Sequence, residues 1–200
     1  MPDAAYLRLE NRHTGEVLLL CRRRLDGDVG LELRGSLPPH REGPPMHVHY
    51  VEEEQGRVTA GRLSVEVDGR RIEAGPGEIV RFPKGVPHRW WNEGAEPLVF
   101  KGRAIPAADL DAFLQAIFAI VNAGPKDRPS LFHLAHLLHR YRRSYRMLVM
   151  PLWLQRLLFP AVIALGHVIG AYPKTGWPGS PESCTGAPPA ADAAAVTTAA

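Results

Sequence analysis

The sequence predicts a mainly β protein: a small sandwich or barrel, then an α-helical C-terminal extension, then a disordered tail. Three observations carry that expectation. Short β-rich runs separated by turn signals fill the chain to about Pro106. Apolar residues then recur at helical spacing to about Tyr172. From Pro173 onward the composition shifts to Pro, Gly, Ala, Ser and Thr, too little apolar surface to support a core. The expected division is therefore 1–106, 107–172 and 173–200.

Each element has a local reason. Glu16 to Cys21 and Val29 to Leu33 read as strands, parted by Asp26-Gly27-Asp28 and ended by the Pro38-Pro39 loop. Arg62 to Val67 alternates polar and apolar residues, the pattern of a half-buried strand, and Asp68-Gly69 supplies a tight hairpin turn. Ile72, Ile79, Val80, Phe82 and Leu98 to Phe100 continue the strand material. Leu110, Phe113, Leu114, Ile117, Ile120 and Val121 then share a helical stripe that Gly124-Pro125 stops. Ser130 is placed to cap a second helix, with Leu131, Leu134, Leu138, Tyr141 and Tyr145 on one face. Arg140, Arg143 and Arg146 lie away from that face. Pro151 opens a third helix, and Pro160 is expected to kink it.

Composition narrows the function classes. A hydrophobic content of 45% supports a packed core. Two cysteines, Cys21 and Cys184, make no disulfide framework, and the polar N-terminus is no secretory signal, so a cytoplasmic protein with reduced thiols is expected. The net charge of +3 is modest, but the basic excess is C-terminal. That distribution favours an acidic partner or a membrane surface over nucleic acid.

His47-Val48-His49 places two imidazoles at i and i+2, hence on one face of a strand. Glu54 lies on the next stretch, and His88 follows some way downstream. Three imidazoles and a carboxylate make a mixed N/O donor set suited to Fe(II), Mn(II), Ni(II), Cu(II) or Zn(II). Glu52 and Glu53 are rival carboxylates on spacing alone.

These residues stand in two longer runs. Gly43-Pro-Pro-Met-His47-Val-His49-Tyr-Val-Glu-Glu-Glu54, followed by Gly61, resembles the first motif of the cupin superfamily, although only three residues separate Gly43 from His47 where five are usual. The run from Gly77 through Pro83, Gly85 and His88 to Asn92 resembles the second motif completely. The resemblance implies a double-stranded β-helix (cupin) barrel holding one divalent metal (Fe, Mn, Zn or Ni) on His47, His49, Glu54 and His88. Its spacing favours Glu54 over the neighbouring glutamates. It also implies a homodimer and a small-molecule ligand or substrate. Asn92 is expected to support a turn or strand end.

Strand parity extends the site. If Glu54 points inward, so do Gly56 and Val58, and if His88 points inward, so does Trp90. Cupins often carry a bulky aromatic two residues after the glutamate, so Gly56 leaves room, and the expectation is a roomy pocket lined by Gly56, Val58 and Trp90. Residues 147–172 are conspicuously apolar, yet the uninterrupted stretch after Arg156 falls short of the ~20 residues a span needs. Burial against the barrel or a partner, an interfacial helix and a spanning helix all stand as readings, with 131–172 the candidate membrane surface. His133, His136 and His139 are read as a solvated basic face. The resulting expectation is a metal-dependent enzyme on a small organic molecule, by dioxygenation or by isomerase or lyase chemistry. The alternative is a non-catalytic binding or sensing module docked through its helices.

Overall fold

Two six-stranded antiparallel sheets face each other in the computed structural model, which describes residues 6–172; the stretch expected to be disordered lies outside them. The strands are β1 (Leu7–Glu10), β2 (Val17–Leu25), β3 (Asp28–Leu37), β4 (Arg41–Glu42), β5 (His47–His49) and β6 (Glu53–Ala60). They continue with β7 (Leu63–Val67), β8 (Arg70–Ala74), β9 (Ile79–Phe82), β10 (His88–Asn92) and β11 (Leu98–Ile105). Then come α1 (Leu110–Ala123), α2 (Leu131–Arg140), β12 (Tyr145–Met147) and α3 (Leu152–Val168). One sheet runs β1-β2-β3-β11-β6-β9. The other runs β12-β5-β10-β7-β8, with β4 also paired to β10.

The expected hairpins form, and their chemistry is visible in the backbone. Asp26 and Gly27 have φ of 50° and 91°, and Asp68 and Gly69 have 51° and 72°. Two successive left-handed residues match the twist of the flanking strands, so β2–β3 and β7–β8 close tightly. β2 extends past the apolar run because Arg22, Arg23 and Arg24 stay paired to Leu31, Gly30 and Val29. Asn92 is buried, and its amide donates to the carbonyls of Leu37, Pro38 and Glu96 while its Oδ1 accepts from the Gly94 N–H. It ties the ends of β3 and β10 to the β10–β11 turn.

The helices share the barrel's core. Leu18, Leu20, Leu31 and Ala104 pack in one cluster with Phe113, Ala116, Leu137, Tyr141, Tyr145 and Phe159. The start of α1 is pinned to β2: the Arg22 guanidinium meets the buried Asp111 carboxylate at 2.5 and 2.6 Å and also donates to the Ala108 carbonyl. Ser130 caps α2 as expected, accepting from the His133 N–H.

Two expectations for this region need correction. Tyr145 is not on the second helix. α2 ends at Arg140, and after a turn Tyr145, Arg146 and Met147 pair with His49, Val48 and His47. The open edge of β5 outweighs the helical spacing of Tyr141 and Tyr145, because unpaired edge groups are costly where side chains are buried. His133 and His136 do not form a solvated face either. They are partly buried beside Tyr172 and, with His167 of α3, form an aromatic cluster in which burial lowers the pKa of both. α3 runs through Pro160 to Val168.

α3 turns Gln155, Phe159 and Gly166 inward and leaves Trp153, Leu157, Leu158, Leu165, Val168 and Ile169 exposed. No helix among the described residues is long and apolar enough to cross a membrane. Cys21 is buried with a free thiol.

Truncating Asn92 strips donors from three carbonyls at a buried junction. Asn92→Ala should cost about 2–3 kcal/mol in urea denaturation, with little change in the denaturant slope.

Candidate metal centre and its cavity

Antiparallel pairing brings distant histidines together. β10 pairs with β5 so that His88 lies directly opposite His47, and the strand period places His49 on the same face. The three rings are buried, and their centroids lie 4.3 Å (His47–His88), 5.0 Å (His47–His49) and 5.5 Å (His49–His88) apart. One ring nitrogen of each lies within 4.8 Å of the others, a grouping able to hold a metal ion. Glu54, on β6 of the facing sheet, directs Oε2 to 3.7 Å from His49 Nε2 and 3.9 Å from His88 Nε2. Those distances are too long for hydrogen bonds, yet the oxygen and both nitrogens share one focus. The four residues expected as ligands are thus brought together.

Each imidazole is oriented from behind. His47 Nδ1 lies 2.8 Å from the Pro45 carbonyl and His88 Nδ1 lies 2.9 Å from the Val86 carbonyl, which fixes Nδ1 as the protonated nitrogen and leaves Nε2 as the free donor. His49 is backed by Glu52, whose carboxylate stands 3.5 Å from Nδ1. Glu52 is 1% exposed. Spacing alone makes it a rival of Glu54, but it sits behind His49, on the side away from Glu54. Its place just before β6 carries no spacing signal for that role. Glu53 is exposed and takes no part.

Electrostatics separates the rings. Burial, reinforced by His88 and His49, holds His47 well below the usual imidazole range, and burial lowers His88 as well. For His49 burial acts downward too, but Glu54 and Glu52 outweigh it and raise the net value. His88 Nε2 is buried without a hydrogen-bond partner. A neutral buried nitrogen with no protein partner, beside two other imidazoles and a carboxylate, fits a divalent cation.

A cavity of about 510 Å³ opens in front of this cluster. Gly56 and Trp90 line it, as expected from strand parity, and a Cβ built on Gly56 would meet nothing within 4 Å. Trp90 packs edge-on against Phe100, with ring centroids 5.3 Å apart. Gly43 lets the short loop lie against it: its N–H donates to the Trp90 carbonyl, and a Cβ there would stand 2.5 Å from that oxygen. Val58 is a correction. It is fully buried with Leu37, Val65 and Leu98 and does not reach the cavity, because the barrel is filled at that end. Trp91 points outward, flanked by Arg71 and Arg89.

Tyr145 is the wall residue the sequence reading misplaced. Carried in by β12, it stacks on His47 at 5.2 Å and meets His49 edge-on at 5.2 Å. Burial, with Glu54 adding, pushes its phenol far up, so the hydroxyl stays neutral.

At the cavity's other end, Glu16 lines the wall near Asp127. Burial, with Asp127 adding, raises its pKa from 4.5 to about 7. The folded protein therefore binds an extra proton between those values, and stability falls as pH rises through that window. Because the side chain keeps some solvent contact, the loss should be about 1 kcal/mol, or roughly 2–4 °C in Tm. Glu16→Gln should abolish that drop in thermal melts between pH 5 and pH 8.

Comparison with known proteins follows the same outline. Residues 33–102 match the family model described as Cupin domain. Over 79 residues the chain is 33% identical to Oxidoreductase iacF of Pestalotiopsis fici, covering 38% of this chain and 39% of that protein. Over 80 residues it is 38% identical to Probable oxidoreductase patJ of Aspergillus clavatus, covering 38% of this chain and 24% of that protein. These matches span two fifths or less of the relatives' own length. Among solved structures, Lactobacillus farciminis oxalate decarboxylase aligns at 18% identity and a TM-score of 0.43, covering 50% of this chain and 30% of that one.

Proposed function

We propose that this chain, whose residues 33–102 match the Cupin domain model, is a metal-dependent enzyme acting on a small organic molecule, with oxidation of the dioxygenase kind as its chemistry. The observation that carries this reading is the convergence of His47, His49, His88 and Glu54 beside a cavity large enough for a substrate, with His47, His49 and Glu54 in its wall. The matched relatives named as oxidoreductases support the reaction class. Isomerase or lyase chemistry would use the same donors.

His47, His49, His88 and Glu54 would hold the ion. Bound there, an iron or manganese would supply redox chemistry with O2, and a zinc or nickel would supply Lewis-acid polarisation. The chain's own residues do the rest. The carbonyls of Pro45 and Val86 keep two imidazoles in the donor tautomer, and Glu52 orients the third. Tyr145, Phe82 and Trp90 exclude water from the near part of the cavity.

The exposed face of α3 favours a second reading for the same protein, in which it works at a membrane surface. Trp153 and Leu157 are each 67% exposed and Val168 84%, far more apolar surface than an unpartnered helix usually presents. Arg140, Arg142, Arg143 and Arg156 are exposed nearby, and no acidic residue occurs from Arg128 to Tyr172. A basic rim around an apolar helix face suits anionic lipid. A cytoplasmic protein peripheral to the membrane, paired as a homodimer, fits this arrangement.

Elemental analysis of protein purified without an affinity tag should find one equivalent of metal. His88→Ala should lose it, and Glu52→Ala should weaken its affinity about 10–100-fold. Wild-type protein that is folded but takes up no metal on reconstitution would sink the ligand assignment. On the second reading, the full chain should co-sediment with vesicles containing phosphatidylserine, less so at high salt. Trp153→Glu with Leu157→Glu should remove that binding without altering metal content. Equal binding by the double variant would overturn it.

A further inference from the structure

The cavity is not confined to the metal centre. It runs on beneath α1, and most of that helix's apolar stripe faces it: Leu110, Phe113, Leu114, Ile117 and Val121, joined by Phe118. Leu110 to Val121 spans about 16 Å of helix. Its two ends are fixed by contacts. Near the N-terminus of α1, Phe113 packs on Tyr145 at 4.1 Å, and Tyr145 stacks on His47. Near the C-terminus, the Val121 carbonyl lies 3.2 Å from His13 Nε2, and Asn122 bonds the backbone of Glu10 and Arg12. So the helix leads from the histidine cluster to a polar end formed by Asn11, Thr14, Glu16, Asp127 and Arg128, the last two exposed to solvent.

The opposite wall is equally bare. Leu18, Leu33 and Phe100 rise from the sheet, and Gly56 and Gly102 face each other across β6 and β11. A stripe of this kind normally closes onto its sheet. Here Gly56, where a Cβ would meet nothing within 4 Å, leaves a channel, with the histidine cluster at one end and water at the other.

We infer that the substrate is a long, slender apolar molecule with an oxygen-bearing head, of the fatty-acyl or fatty-alcohol class, its head at the His47/His49/His88 cluster and its chain lying along α1. This deepens the proposed function and rests on it for the placement of the head. The chain's seat rests on the channel alone.

Binding of saturated fatty acids from hexanoate to hexadecanoate, read by displacement of an environment-sensitive fluorophore from the full-length protein, tests the idea. Each added methylene buried in the channel should tighten binding about fourfold, with a plateau once the chain outgrows the channel. Ile117→Trp, which fills the middle of the channel, should abolish the chain-length dependence, and Gly56→Leu should shorten the longest chain accepted. Both variants are first checked by circular dichroism. Leu165→Ser, on the exposed face of α3, should change nothing. A flat chain-length series, or one lost in Leu165→Ser and kept in Ile117→Trp, would overturn the inference, the latter by assigning the chains to the outside of α3. Repeating the series with metal-loaded and metal-stripped protein separates the two readings. Chain dependence without metal uptake would refute only the metal assignment, and metal uptake without chain dependence would refute only the substrate class.

Discussion

The pairing of Tyr145, Arg146 and Met147 with the strand His47–His49 is the interaction on which the site depends. Without it that three-residue strand would be a sheet edge, bonded on one side only by the strand carrying His88. Two buried histidines on a short, half-bonded strand would be poorly fixed, and a metal site tolerates little misplacement. The added strand completes the backbone hydrogen bonding and delivers the Tyr145 ring against both imidazoles. It also sets where the helices go. The turn from Tyr141 to Ser144 anchors α2, and Gln155 of α3 donates to the carbonyls of Met147 and Met150.

Around the three buried histidines, desolvation favours the form able to bind a cation. A buried imidazole resists protonation, and the neutral ring is the form that binds a cation. The backbone carbonyls behind His47 and His88 determine which nitrogen remains available, at no cost in added charge. His49 differs because two carboxylates approach it, so the cluster contains one ring with a strong claim on a positive partner beside two that refuse a proton.

Much of this was legible in the chain, because it rests on short-range rules. The alternation of side chains along a strand puts His47 and His49 on one face, and the Asp-Gly pairs close hairpins because their backbones enter the left-handed region. Gly56 signalled open space since nothing else in the local sequence could fill it. Other features depended on distant partners. Tyr145 sits four residues after Tyr141, a helical interval, and only the waiting edge of β5 makes it a strand. The stripe from Leu110 to Val121 has the periodicity of a core helix, and nothing in it reveals that a channel lies beneath. Glu52 and Glu54 differ by two positions and by no local chemistry. The bend of chain entering β6 turns one behind His49 and the other in front. Val58 obeys the same parity as Gly56 but lies where the barrel has already been filled.

The strand that completes the edge of β5 follows it by about one hundred residues, so a chain emerging from the ribosome makes the histidine strand long before it makes that partner. With β11 ending at Ile105 and β12 beginning at Tyr145, the completed barrel carries an open, apolar-flanked edge for some 2–8 s at roughly 5–20 residues per second. Throughout that interval it offers a template for pairing with any other extended segment nearby. Synthesis from the N-terminus thus makes a strand built late the guardian of histidines built early.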